Sequence, residues 1–337
     1  MKVSFEKKTF VFKTPSGTSR GILTEKHAWF IYATLNDFTA IGECSIIPGL
    51  SPDFESFECY EAKVKEVVNN FEYYASHLES LAPFPSILMG VEMVLLNLEN
   101  QQKHLYFPTA FARNEQKIKI NGLIWMGEKS FMQKQIKEKI KAGFDCIKMK
   151  IGAIDFKTEL QLLEEIRKEF PKEKIELRVD ANGAFSVEEA EEKLSQLSTL
   201  DIHSIEQPIK QGQIEEMSKL CRISKLPIAL DEELIGISKV DEKERLLSVI
   251  KPQYIILKPS LVGGFRGAAE WITLAEKLNI SWWITSALES NVGLAAIAQF
   301  VSQYKTNMYQ GLGTGALYTN NIESNLVVEN GFIYNKH

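Results

Sequence analysis

The chain has 337 residues, with 39 lysines and arginines against 44 acidic residues and a formal charge of −5. That balance lacks the basic surplus of a nucleic-acid binder, and 45% hydrophobic with 25% charged residues is ordinary for a folded globular protein. The most apolar stretch, Ile87 to Leu98, is interrupted by Gly90, Glu92 and Asn97, so it does not read as a membrane span.

The N-terminus, Met1 to Lys8, is charged and has no apolar signal-peptide core. Cys44, Cys59, Cys146 and Cys221 form no Cys-x-x-Cys pair. They are expected to be small buried side chains in a reducing, cytoplasmic protein, without disulfides or zinc. Val3–Phe12, Gly21–Leu35 and Thr39–Glu43 read as strands separated by Pro15-Ser16-Gly17 and Asn36-Asp37 turns. Two helical stretches follow, about 55–74 and 85–102. Strands followed by helices predict an α+β domain over residues 1–116.

From about residue 117 the chain settles into a repeat. Strand-like segments at 117–124, 146–151, 175–180, 204–206, 227–231, 254–258, 281–286 and 307–310 alternate with helical intervals. Lys150, Asp180, Glu206, Asp231, Lys258, Ser286 and Gly311 mark successive strand ends, and such spacing suits parallel strands joined by helices. Phe156, Leu160, Leu163, Ile166 and Phe170 follow one helical face. Ser186 and Glu189 form a capping box, and Asn291 is expected to cap the last helix. Eight strands with seven helices fit a (β/α) barrel over residues 117–319, with a doubly wound open sheet as the alternative. Residues 320–337 hold a Glu329-Asn330-Gly331 turn between two short apolar runs. They are expected to return as a hairpin to the N-terminal domain.

The charges at the strand ends carry the chemistry. Lys148 and Lys150 are two apart on one strand and share a face, as do Arg178, Asp180 and Asn182 on the next. Across five strands the order is Lys150, Asp180, Glu206, Asp231, Lys258. In a barrel these ends meet at one mouth. Three carboxylates together call for a cation, and an all-oxygen set suits Mg²⁺, with Mn²⁺ as a substitute. Lys148 and the metal would disfavour the charged form of Lys150 and make it a base. A cation holding a substrate carboxylate beside that base suits removal of the α-proton, with Lys258 stabilising the enediolate.

This arrangement resembles the enolase superfamily, and within it the muconate lactonizing subgroup. The matching positions are Lys148-x-Lys150, Asp180-x-Asn182, Glu206, Asp231-Glu232 and Lys258. The resemblance implies a modified TIM barrel, (β/α)7β, beneath an N-terminal α+β capping domain. The segment from Gly42-Glu43 to Pro48-Gly49-Leu50-Ser51, Arg178 before Asp180, Ser286 to Ser290, and Gly311 to Thr314 are similar to the o-succinylbenzoate synthase family of menaquinone biosynthesis. That implies a Mg²⁺-dependent carbon–oxygen lyase with a small carboxylate substrate, and is compatible with a homo-oligomer. Lys150 and Lys258 would be catalytic and Asp180, Glu206 and Asp231 the metal ligands, with Arg178, Asn182 and Glu232 supporting them. Lys148, Ser286, Gly311, Gly313, Pro48, Gly49, Leu50 and Ser51 would enclose the substrate.

Rival activities differ in their groups. Racemases and dehydratases with a histidine base near strand seven do not fit Trp282-Trp283-Ile284-Thr285-Ser286. Dipeptide epimerases usually carry Asp-x-Asp after strand eight, where this chain has Gly311-Leu312-Gly313. N-succinylamino acid racemization needs the same two lysines and stays open. A barrel kept only as a scaffold would be expected to have lost one of these groups, and none is missing.

Overall fold

A computed structural model describes residues 1–18 and 21–336. Strands β1 (Lys2–Thr18), β2 (Gly21–Leu35) and β3 (Phe38–Ser45) form an antiparallel sheet, with a register shift in β1 between Val11 and Ser16. Helices α1 (Phe57–Asn69), α2 (Phe71–Ser76) and α3 (Pro85–Asn100) follow. The first expected helix is thus two, separated at Asn70. Ser56 caps α1 by accepting from Cys59 N–H. Gly42 in β3 and Gly90 in α3 let helix and sheet touch: a Cβ at Gly42 would lie 1.9 Å from the Gly90 carbonyl oxygen. Trp29, Ile31, Tyr60, Val64 and Val91 fill the core between them. Cys44, Cys146 and Cys221 are buried as expected, but Cys59 is exposed, because it lies on the outer face of α1.

Two short strands, β4 (Ile118–Lys119) and β5 (Gly122–Ile124), replace the single expected strand over 117–124. Beyond them α4 (Lys129–Lys141), β6 (Cys146–Lys150), α5 (Phe156–Glu169), β7 (Glu176–Asp180), α6 (Val187–Leu197) and β8 (Ser204–Glu206) alternate. The alternation continues through α7 (Ile214–Ile223), β9 (Ile228–Leu230), α8 (Val240–Ile250), β10 (Tyr254–Leu257), α9 (Gly264–Lys277), β11 (Ser281–Ile284) and α10 (Asn291–Val301). Strands β5 to β11 pair in chain order, and the recorded pairs are parallel. The expected eighth strand is not a strand. Gln310 and Gly311 instead make single parallel bridges to Ile120 and Thr285, one on each flank, and so link the two edges of the curled sheet. This is the (β/α)7β arrangement rather than an open doubly wound sheet.

Ser186 caps α6 through Glu189 N–H, and Asp155 caps α5. At α10 the cap is Ser290, not Asn291. Ser290 Oγ accepts from Val292 N–H, while Asn291 Nδ2 donates to the Ile322 carbonyl. The C-terminal hairpin, β12 (Leu326–Glu329) and β13 (Phe332–Asn335), pairs with β4. Just upstream, Lys13 and Thr319 N–H groups bond Leu317 and Val11 carbonyls, tying the chain to β1. Among the described residues no helix is long and apolar enough to cross a membrane.

Three buried side chains join the N-terminal layer to the barrel. Glu43 in β3 accepts from Ser290 N–H, Ser290 Oγ and Gly293 N–H at the start of α10 (2.8, 2.6 and 2.8 Å). Glu92 in α3 accepts from Phe265 and Arg266 N–H at the start of α9 (2.6 and 3.1 Å). Lys26 in β2 donates to the Ala287 carbonyl. The two carboxylates thus meet the unsatisfied N–H groups and positive ends of helix dipoles.

Candidate active site

The alternation of β6 points Lys148 and Lys150 inward and packs Met149 into the surrounding apolar core. Parallel register sets Lys150 opposite Asp180, and Asp180 opposite Glu206. Glu206 pairs with Ala229, so Asp231 falls just past the end of β9. The three carboxylates are almost fully buried, at 0%, 2% and 1% exposure for Asp180, Glu206 and Asp231. Lys150 Nζ donates to Asp180 Oδ2 (2.9 Å) and Asn182 Oδ1 (2.6 Å). Lys148 Nζ lies 2.9 Å from Asp180 Oδ2 and also bonds Glu206. At the far end Lys258 bonds Asp231 and stands 4.0 Å from Glu206 Oε1.

Burial works against every charge here, and the neighbours decide the outcome. Burial opposes Asp180's charge, but Lys148, Lys150 and Lys258 overcome that and hold it well below the usual carboxylate range. Glu206 is pushed up by burial and by Asp180 and Asp231 beside it. Lys148 is raised despite its burial, by Asp180, Glu206 and Asp231, and Lys258 by Asp231 and Glu206. Lys148 therefore stays a cation wedged among carboxylates.

Of the three expected supporting residues, Asn182 touches this row and Glu232 meets it through Asn182. Asn182, at a left-handed φ of 45°, donates its backbone N–H to Asp180 Oδ1 (3.0 Å) and its side chain to Glu232 Oε1 (3.0 Å). Arg178 does not. Two residues before Asp180, it lies one layer lower in the barrel. Its Nε binds Glu176 (2.7 Å), and its guanidinium stacks 4.2 Å over Trp283. Gln207, which carried no signal in the sequence, holds the turn after β9: its Oε1 accepts from Asp231 and Glu233 N–H (3.2 and 3.3 Å).

A cavity of about 210 Å³ opens above the row. Pro48, Leu50, Ser286, Gly311 and Gly313 line it with Lys148, as expected from the sequence, and Gly49 and Ser51 do not. Gly49 takes a φ of +77° in the turn, and Ser51 Oγ accepts from Ile47 N–H (2.8 Å), closing that turn. Gly311 is required by packing, since a Cβ there would lie 2.2 Å from Thr285 Oγ1. Thr314, at the end of the Gly311–Thr314 segment marked in the sequence, also lines the cavity, as do Asn121, Leu123, Trp125 and Lys139, which the sequence did not mark.

The donor chemistry fits a hard divalent cation. Three buried carboxylates stand at successive strand ends, and Glu206 Oε1 is buried without a hydrogen-bond partner among the described residues. As they stand, no three acidic, histidine or cysteine side chains among the described residues are grouped to hold a metal, and the ammonium groups of Lys148 and Lys258 sit between the carboxylates.

Residues 132–336 match the enolase C-terminal domain-like family. The chain is 46% identical to the o-succinylbenzoate synthase of Desulfotalea psychrophila, over 99% of this chain and 98% of that one. It superimposes on the crystal structure of MenC from Desulfotalea psychrophila LSv54 with a TM-score of 0.84 at 43% identity, covering 99% of each chain. A dipeptide epimerase from Cytophaga hutchinsonii, crystallised with Mg and D-Ala-L-Val, shares the fold at 23% identity, with a TM-score of 0.85 over 98% of this chain and 92% of that one. The strand-end row, the seven-helix barrel and these matches together make the chain a member of the enolase superfamily.

Proposed function

We propose that this protein is an o-succinylbenzoate synthase, dehydrating 2-succinyl-6-hydroxy-2,4-cyclohexadiene-1-carboxylate to o-succinylbenzoate. The observation that carries the reading is the match along 99% of the chain to a synthase of that name. The buried row, with a lysine at each end, supports it chemically.

Asp180, Glu206 and Asp231 would hold Mg²⁺, or Mn²⁺ in its place. When bound, the cation supplies electrophilic stabilisation for a carboxylate whose α-carbon loses a proton. Lys150 takes that proton, and Asn182 orients the lysine through its 2.6 Å contact. Lys258, kept cationic by Asp231, faces the negative charge as it develops. The Lys150 ammonium then gives its proton to the departing hydroxyl on the same ring face. One water leaves and the ring becomes aromatic. Lys148 stays protonated and fixes Asp180 and Glu206. Pro48, Leu50 and Ser286 enclose the ring, and the absence of a carboxylate at Gly311 and Gly313 suits an anionic substrate better than a zwitterionic dipeptide. Free cysteines and a metabolic reaction of this kind fit a cytoplasmic location.

The test gives purified protein with Mg²⁺ the cyclohexadiene, an N-succinylamino acid and a dipeptide. Dehydration should have the largest kcat/KM and Lys150→Ala should abolish it. A dominant dipeptide epimerase activity would overturn the reading.

A further inference from the structure

Four lysines line the cavity. Three of them, Lys148, Lys150 and Lys258, are matched by Asp180, Glu206 and Asp231. The fourth, Lys139 in α4, makes no ion pair among the described residues; its ammonium stands 5.1 Å over the Phe144 ring. It reaches the cavity past Gly122, where a Cβ would come within 3.2 Å of the Lys139 stem. Asn121 is the neighbouring polar group on that wall. It is 5% exposed, yet its side-chain amide makes no hydrogen bond among the described residues, and Oδ1 is buried without a partner. An ammonium or a water can satisfy this buried acceptor and a carboxylate cannot, so the part the amide can play toward an anion is donation from Nδ2. Its backbone is fixed by a 3.0 Å bond from its N–H to the Gln310 carbonyl, which places the residue on the cavity wall.

A dicarboxylate substrate needs two anion sites. The one at the strand-end row takes the carboxylate beside the reacting carbon, and every lysine there already has a counter-charge. We propose that Lys139 and Asn121 form the second site and bind the carboxylate at the end of the succinyl chain, with Asn121 Nδ2 donating beside the Lys139 ammonium. This rests on the reaction proposed above. It makes the two residues determinants of specificity: they select a substrate by its remote anion and take no part in the proton transfers.

The experiment titrates the Mg²⁺-loaded protein calorimetrically with o-succinylbenzoate, which carries the succinyl chain, and with benzoate, which lacks it. Lys139→Met should weaken o-succinylbenzoate binding about 10- to 100-fold and leave benzoate within about twofold. Lys139→Arg should restore most of the loss, and Asn121→Asp, which sets a negative charge against the ligand, should weaken o-succinylbenzoate alone. In turnover KM should rise with kcat nearly unchanged. Equal weakening of both ligands, or no change in either, would overturn the subsite. Wild-type protein that binds o-succinylbenzoate through Lys139 but does not dehydrate the cyclohexadiene would uphold the subsite and refute the reaction.

Discussion

Glu43→Ala should cost the fold about 3 kcal/mol, although Glu43 takes no part in the chemistry. Its side chain is fully buried and accepts three hydrogen bonds at the start of α10. Alanine removes the acceptor and leaves the Ser290 and Gly293 N–H groups buried and unpaired, at about 1–3 kcal/mol each. Ser290 Oγ keeps its role as acceptor from Val292 N–H at 3.1 Å, but its O–H loses its acceptor as well and can only recover one by rotating. Part of the loss is offset because burial pushes the Glu43 carboxyl up, which means the native state already bears a desolvation cost that alanine relieves. Glu43→Gln keeps the shape and one acceptor oxygen, and should cost about half as much. Urea unfolding followed by tryptophan fluorescence and by circular dichroism gives both values. An alanine variant within about 0.5 kcal/mol of wild type would refute the reasoning, as would a glutamine variant less stable than the alanine one.

Asp180→Asn, Glu206→Gln and Asp231→Asn should each weaken Mg²⁺ binding at least tenfold by calorimetry and lower kcat/KM about 100-fold or more, with the circular dichroism spectrum unchanged; wild-type Mg²⁺ affinity in any of them would remove that residue from the ligand set. Burial raises the Glu92 carboxyl from 4.5 to about 7, against the lowering effect of the Phe265 and Arg266 N–H bonds. The unfolded chain therefore gives up this proton first as pH rises, and stability falls between about pH 4.5 and 7 by an amount on the order of 3 kcal/mol. Glu92→Gln should flatten that part of the stability curve, measured by urea unfolding at half-unit pH steps, and identical slopes would refute it. Gly264→Ala should destabilise by about 2–4 kcal/mol in the same assay, because the added Cβ would lie 2.2 Å from Glu92 Oε2 at a φ of +70°; a neutral effect would mean that α9 and Glu92 separate freely.

The barrel was legible because its signals are local and repeat. Lys148 and Lys150 announce their shared face by a spacing of two, and five successive strand ends each carry a charge in the chain. Ser186 and Glu189 are three apart, so their cap can be read directly. The misreadings have physical causes. Residues 307–310 have strand composition, but the closing contact takes only single bridges at Gln310 and Gly311. Ser290 and Asn291 are both good caps, and the choice between them is made by Asn321 and Ile322, which engage Asn291 from thirty residues away. Arg178 shares a face with Asp180, yet the rise of one layer sends it to Trp283 instead. Lys139 and Asn121 were invisible for a different reason. A lysine on a helix and an asparagine between two short strands acquire meaning only once Gly122 brings the helix against the cavity.

The buried joints between the two layers also bear on how a substrate gets in. Swinging the N-terminal layer away as a rigid lid would break the hydrogen bonds of Glu43, Glu92 and Lys26 together and take the acceptors from the N–H groups at the starts of α9 and α10. The turn at Ile47–Leu50 is free of this penalty, because the N–H groups of Ile47, Leu50 and Ser51 close on the turn itself rather than on the barrel. That turn lines the cavity, and moving it would leave the joints intact, so the cavity's enclosure there and the joining of the two layers rest on separate sets of residues.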